Sequence, residues 1–267
     1  MHQARLADSR QLTYREARAE ESRVVVLLHA FPLTSAMWRP QLAEPPQGWR
    51  LLAPDLAGFG GSQDHARDAV ALDDYASDVL AWLDGLGIAR CVAAGVSLGG
   101  YVALALARLA PDRLAGLVLA DTKAPADSAE ARAGRDRMLE TLQSRGTEGV
   151  AEEMLPKLLG ETTRNTRPDL VAEVRSLIVT NDAEGVRRGL LRLRGRPDAT
   201  PVLAGIHVPT LVLVGEEDVV TPLTDAQALA STIPRASLET IRGAGHLSNL
   251  EAPSPFTVAL NRFLADL

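Results

Sequence analysis

A single cysteine, Cys91, stands in 267 residues, so no internal disulfide can form and nothing implies an oxidising compartment. Cys91 lies in an apolar run and reads as a small buried hydrophobe. An excess of positive charge is also lacking: 28 Lys and Arg face 34 Asp and Glu, a net charge of −6. A polyanionic partner needs a basic patch, so no nucleic-acid partner is expected. No apolar run reaches membrane-spanning length, and the first residues, Met1 to Glu21, lack the apolar core of a cleavable signal peptide. A cytoplasmic protein with no membrane partner is the expectation. Internal repeats, a dinucleotide fingerprint and a metal-ligand cluster are missing as well, so neither a cofactor nor a metal is expected.

What is present is an ordinary globular composition, 46% hydrophobic and 23% charged, on a chain long enough for one large α/β domain with an insertion. The chain is organised around Cys91-Val92-Ala93-Ala94-Gly95-Val96-Ser97-Leu98-Gly99-Gly100, followed by a run of good helix formers from Tyr101 to Ala110. A short apolar run before and a helical run after place Ser97 in a sharp strand-to-helix turn. Side chains at positions 95 and 99 would collide with the neighbouring elements, which explains glycine at both. The turn would present the Ser97 hydroxyl above the sheet, with the Leu98 N–H at a helix N-terminus suited to an oxyanion. A serine hydroxyl is a weak nucleophile, so the rest of the chain must supply a base, a group to orient it and a second oxyanion donor.

Further apolar runs, Arg23–His29, Trp49–Pro54, Leu114–Ala120, Thr210–Val214 and Ser237–Ile241, read as strands, and a weaker one surrounds Leu12–Arg15. Ala17–Ser22 has the length of a hairpin turn. Helical periodicity marks Ser35–Leu42, Leu72–Leu86, Thr224–Ser231 and a last helix capped by Ser254. Alternating strands and helices specify a mostly parallel sheet. About ninety residues separate the strand at Leu114 from that at Thr210, too many for a connection. An inserted helical cap over 122–196 is therefore expected, built from Ala129–Arg145, Glu148–Leu159, Asp169–Thr180 and Ala183–Arg194, on a core of 1–121 and 197–267. Its Arg187, Arg188, Arg192, Arg194 and Arg196 either bind an anionic substrate or form a solvated face.

Loops leaving the carboxyl ends of such strands face the ligand crevice. The first carries His29-Ala30-Phe31-Pro32, where the Phe31 N–H is the candidate second oxyanion donor and the His29 ring is expected to brace the loop. Asp55 is expected to bind local N–H groups. Gly215-Glu216-Glu217-Asp218 directs Asp218 inward, with both glutamates toward solvent. Gly243-Ala244-Gly245-His246 offers a close-approaching loop for a base that must accept and return a proton.

These motifs, with Asp55-Leu56 and Gly58-Phe59-Gly60, resemble the α/β-hydrolase superfamily over essentially the whole chain, and within it the small serine esterases and lactonases of the 3-oxoadipate enol-lactonase type. Ala30 departs from the glycine that many members carry. Serine at 97 counts against haloalkane dehalogenases and epoxide hydrolases, which carry aspartate there. The resemblance implies an α/β-hydrolase fold and two-step acyl transfer on a small-molecule ester or lactone: Ser97 attacks, His246 moves the proton, Asp218 orients His246, and the Phe31 and Leu98 N–H groups hold the oxyanion. In some members the acid sits at the position of Asp121, which here is also suited to capping the entry to the insertion. A perhydrolase using peroxide and a ligand receptor that kept the three residues remain open, as does a homodimer.

Overall fold

Continuous apolarity without alternation requires a strand covered on both faces. The runs with that property form the middle of the sheet, where Val25, Val26, Leu27 and Leu28 are fully buried. The computed structural model describes residues 1–65 and 69–267. Among them eight strands make one sheet: β1 (His2–Arg5), β2 (Gln11–Ala17), β3 (Arg23–Leu28), β4 (Trp49–Pro54), β5 (Cys91–Val96), β6 (Leu114–Ala120), β7 (Thr210–Gly215) and β8 (Ala236–Ile241). Their spatial order is β1-β2-β4-β3-β5-β6-β7-β8. The pairings of β2 with β1 and β4 are antiparallel and the others parallel. The chain runs from β3 outward to β4, then returns to β5 on the other side of β3. That reversal opens a crevice at the carboxyl ends of β3 and β5, the place where open α/β sheets bind ligands.

Two expectations near the N-terminus fail. Ala17–Ser22 does not close a hairpin: β2 lies between β1 and β4, while β3 pairs with β4 and β5. β3, apolar and buried from Val24 to Leu28, takes a central slot with neighbours on both edges, and the half-polar β2 takes a place near the sheet's rim. β1 is a strand where none was expected, because its four residues are mostly exposed and carry no apolar pattern.

The helices are α1 (Arg39–Ala43), α2 (Leu72–Gly85), α3 (Leu98–Leu109), α4 (Ala129–Leu158), α5 (Glu161–Thr166), α6 (Pro168–Val179), α7 (Ala183–Arg194), α8 (Leu223–Thr232), α9 (Ser248–Glu251) and α10 (Pro253–Ala265). Among the described residues no helix is long and apolar enough to cross a membrane. Within α4, Gly146 has φ 66°, which only glycine adopts readily, and this breaks the helix into the two halves its periodicity predicts. α5 and α9 are too short to show a period. Ser254 does not cap the last helix, which starts at Pro253; proline at the first position has no N–H to satisfy.

α4 to α7 lie between β6 and β7, and α7 holds the insertion to the loop after β4. A Cβ on Gly185 would stand 1.8 Å from the Gly58 carbonyl oxygen, and one on Gly189 would stand 2.9 Å from the Phe31 ring. Glycines one turn apart thus let the helix backbone touch the loops below. Beside them three of the five cap arginines fit neither expectation, being buried in ion pairs. Arg188 and Arg192 are buried on Asp64, at 2.9 and 2.6 Å, and Arg196 is buried on Asp127 at 3.0 Å. Arg187 and Arg194 are exposed and pair with Glu184 and Asp136.

Burial would raise the Asp64 carboxyl, but the hydrogen bonds and charge of Arg192, with Arg188, outweigh it and hold the group well below the usual carboxylate range. Its stabilisation is therefore complete above the unfolded carboxylate pKa of ~3.9 and is lost as pH falls through the lower folded value. Asp64→Ala leaves two buried guanidiniums without this partner and is expected to cost about 3–5 kcal/mol, lowering the thermal midpoint by roughly 10 °C. Glu184→Ala, at an exposed pair, is the control. A loss below about 1 kcal/mol for Asp64→Ala, as at a surface pair, would show that the cluster does not hold the insertion down.

Candidate active site

Ser97 follows β5 with φ 54° and ψ −110°, a strained conformation for a residue with a side chain, costing on the order of 1–3 kcal/mol. Close backbone packing enforces it. A Cβ on Gly95 would lie 2.1 Å from the Gly99 carbonyl carbon, and one on Gly99 would lie 2.0 Å from the Leu28 carbonyl oxygen. Ser97 N–H donates to the Ala120 carbonyl at 2.9 Å, and Thr122 Oγ1 donates to the Ser97 carbonyl at 2.9 Å, so β6 braces the turn. The half-buried Ser97 is presented at the mouth of the crevice, and α3 begins at Leu98.

His246 and Asp218 come from the loops after β8 and β7. His246 Nε2 is 2.8 Å from Ser97 Oγ, and His246 Nδ1 is 2.8 Å from Asp218 Oδ2. An ionised carboxylate only accepts, so Nδ1 carries the ring proton and Nε2 is free to accept from the serine hydroxyl. Asp218 also accepts from the N–H groups of Val220 at 2.8 Å and Thr221 at 3.0 Å, and from Thr221 Oγ1 at 2.7 Å. Burial opposes ionisation of both partners, yet each other's charge and hydrogen bond prevail: Asp218 is held below the usual carboxylate range and His246 above the usual histidine value. Thr221 was not among the residues expected at the site; the Thr-Pro pair that ends this loop is the only trace of it in the sequence.

Asp121 is fully buried but does not cap the insertion. Its Oδ1 accepts from Gly215 N–H at 2.8 Å, and its Oδ2 accepts from Ser248 N–H at 3.2 Å and Ser248 Oγ at 2.5 Å. Ser128 caps α4 instead, accepting from Ala131 N–H. The role passes to Ser128 because the carboxylate of Asp121 turns back into the sheet, tying the Asp218 loop to the His246 loop. Burial, then the nearby Asp218 charge, pushes the Asp121 carboxyl up to about 7. Glu217 is half-buried and accepts from Thr162 N–H at 2.9 Å, a contact with α5. Glu216 is exposed.

After β3 the loop is braced as expected. His29 Nδ1 bonds the Ala30 carbonyl at 2.9 Å, and His29 Nε2 accepts from Leu56 N–H at 2.9 Å. Asp55 accepts from Ser35 and Gly61 N–H groups at 2.7 and 3.2 Å. Ala30 N–H is used by Met37 Sδ, and the Phe31–Pro32 peptide is cis. The N–H groups of Phe31 and Leu98 have no hydrogen-bond partner among the described residues. A cavity of about 270 Å³ opens over Ser97, His246 and Phe31. Met138, Met154, Leu158, Leu190 and Leu193 give it apolar walls, and Lys123, Lys157 and Arg135 stand at its polar side. Among the described residues no group of three or more His, Cys, Asp or Glu side chains is placed to hold a metal ion.

Comparison with known proteins agrees with this fold. The chain is 36% identical to a thermophilic esterase from Thermogutta terrifontis solved with malate bound, with a TM-score of 0.94 over 100% of this chain and 99% of that one. It is 28% identical to the enol-lactonase from Burkholderia xenovorans LB400, with a TM-score of 0.90 over 99% and 100% of the two chains. Among curated sequences it is 28% identical over 225 residues to 3-oxoadipate enol-lactonase 2 of Acinetobacter baylyi, covering 84% of this chain and 82% of that protein. The model of the alpha/beta hydrolase fold family matches residues 23–253, and with the sheet order and the turn at Ser97 this establishes that the chain belongs to the α/β-hydrolase fold family.

Proposed function

We propose that the protein hydrolyses small carboxylic esters or lactones through an acyl-enzyme on Ser97. The observation that carries this reading is the continuous chain of hydrogen bonds from Ser97 Oγ through the His246 ring to Asp218. Ser97 Oγ bonds to the carbonyl carbon as its proton passes to His246 Nε2. The imidazolium faces Asp218, and the carbonyl oxygen, now an anion, is met by the Phe31 and Leu98 N–H groups. Collapse breaks the bond to the alkoxy oxygen, which takes the proton from His246. Water then adds to the acyl carbon by the same proton route, releasing the acid and restoring Ser97. The cavity volume and apolar walls suit a small acyl or lactone ring, and the relatives named esterase and enol-lactonase support that substrate class. The insertion contributes the walls and is read as a cap that governs substrate range.

Many turnovers of p-nitrophenyl acetate per active site are expected, with an aryl phosphonate adding its mass to the Ser97 peptide. A single slow burst, or a label elsewhere, would remove the proposal. Because His246 must be neutral to accept the proton and its pKa is raised, kcat/KM is expected to fall as pH drops through a value above the usual 6.5.

A further inference from the structure

Three consecutive backbone N–H groups carry the His246 loop, and all three are held from outside it. Glu251 Oε1 accepts from Gly245 N–H at 3.0 Å and from Leu247 N–H at 3.1 Å, the groups on either side of His246. His246 N–H itself donates to the Leu158 carbonyl at 3.1 Å, at the end of α4. Glu251 Oε2 reaches the same stretch of the insertion, accepting from Gly160 N–H at 2.8 Å. Contact there is so close that a Cβ on Gly245 would lie 2.3 Å from Gly160 N. Glu251 is only 8% exposed, and none of these bonds touches Ser97.

We propose that Glu251 is a positioning residue for His246, joining the loop of the base to the end of α4 so that docking of the insertion sets where the imidazole stands. The proposal rests on the reading of His246 as the base. One carboxylate, accepting on both oxygens, performs a task that no neutral side chain can copy. In Glu251→Gln one amide oxygen can still hold Gly245 and Leu247, but the amide NH₂ then faces Gly160 N–H, donor against donor. The loop keeps its local bonds and loses its strut. Leu158 also lines the cavity, so the segment that shapes the substrate's space is the one that hangs the base. Glu251, Asp218 and Asp121 are the carboxylates whose charge favours the imidazolium.

The test compares wild type, Glu251→Gln and Glu251→Asp on p-nitrophenyl acetate across pH. Glu251→Gln is expected to lower kcat by about 10- to 100-fold, the cost of a base displaced by a fraction of an ångström to about 1 Å, with KM nearly unchanged. Its acid limb moves to lower pH because a negative charge near the ring is gone. Glu251→Asp keeps the charge and should restore the limb while recovering only part of the rate. In the wild-type protein, whatever the variants' fate, amide exchange at 158–162 and at 245–247 should slow together when the phosphonate occupies Ser97. A kcat within twofold of wild type with an unmoved limb, or exchange in the two segments that responds independently, overturns the proposal. Should wild type itself fail to label at Ser97, it is the reading of the site that falls, a result the variants cannot mimic.

Discussion

Ser97→Ala is expected to reduce kcat for ester turnover by about 10⁶-fold, leaving only what the oxyanion donors and binding supply, roughly 10³-fold over water. The substitution removes one hydrogen bond, from the hydroxyl to His246 Nε2, at a cavity mouth open to water, so stability should change by less than about 1 kcal/mol. Alanine also inherits the same backbone strain, because Gly95, Gly99 and Leu28 still enforce the turn. Stopped assays on purified variant, together with the absence of phosphonate labelling, check this. Rates near those of wild type in a contaminant-free preparation would take Ser97 out of the chemistry.

The second large effect distinguishes two buried carboxylates. Asp218→Asn is expected to lower kcat by about 10⁴-fold, because an amide NH₂ facing Nδ1 forces the proton onto Nε2, the atom that must accept from Ser97. Asp121→Asn should cost tenfold or less, in keeping with the loss of an ordinary hydrogen bond. Asp121 bonds Gly215 and Ser248, and burial with the nearby Asp218 charge pushes its carboxyl up to about 7. Asparagine keeps an amide oxygen for Gly215 N–H and turns its NH₂ toward Ser248, whose hydroxyl can rotate to accept instead of donating, so the loss is confined to the bond from Ser248 N–H. Measuring kcat for both variants at pH 7 to 8 decides the matter. The larger loss at Asp121 would exchange the two roles and leave Ser97 and His246 as proposed.

Much of the molecule was legible in the sequence because the relevant physics is local. A strand buried on both faces must be continuously apolar, so β3, β4, β5, β6 and β7 announce themselves. A turn too tight for Cβ atoms must carry glycine, which is why positions 95 and 99 identify Ser97. Loops after strands face one end of a parallel sheet, so Phe31, Asp218 and His246 can be named without knowing the distances between them.

The remainder depends on partners far apart in the chain. Arg188 and Arg192 look like any exposed helical arginines until the fold brings Asp64, more than a hundred residues away, beneath them. Asp121 and Asp218 both follow strands, and local sequence cannot say which meets Nδ1 of His246. Their separation depends on how β6, β7 and β8 stagger, so only the assembled sheet turned Asp121 toward Gly215 and Ser248. Glu251 carries no local signal at all. Its three donors come from two segments about ninety residues apart, and a carboxylate's affinity for N–H groups becomes specific only when tertiary packing excludes the water that would otherwise satisfy it.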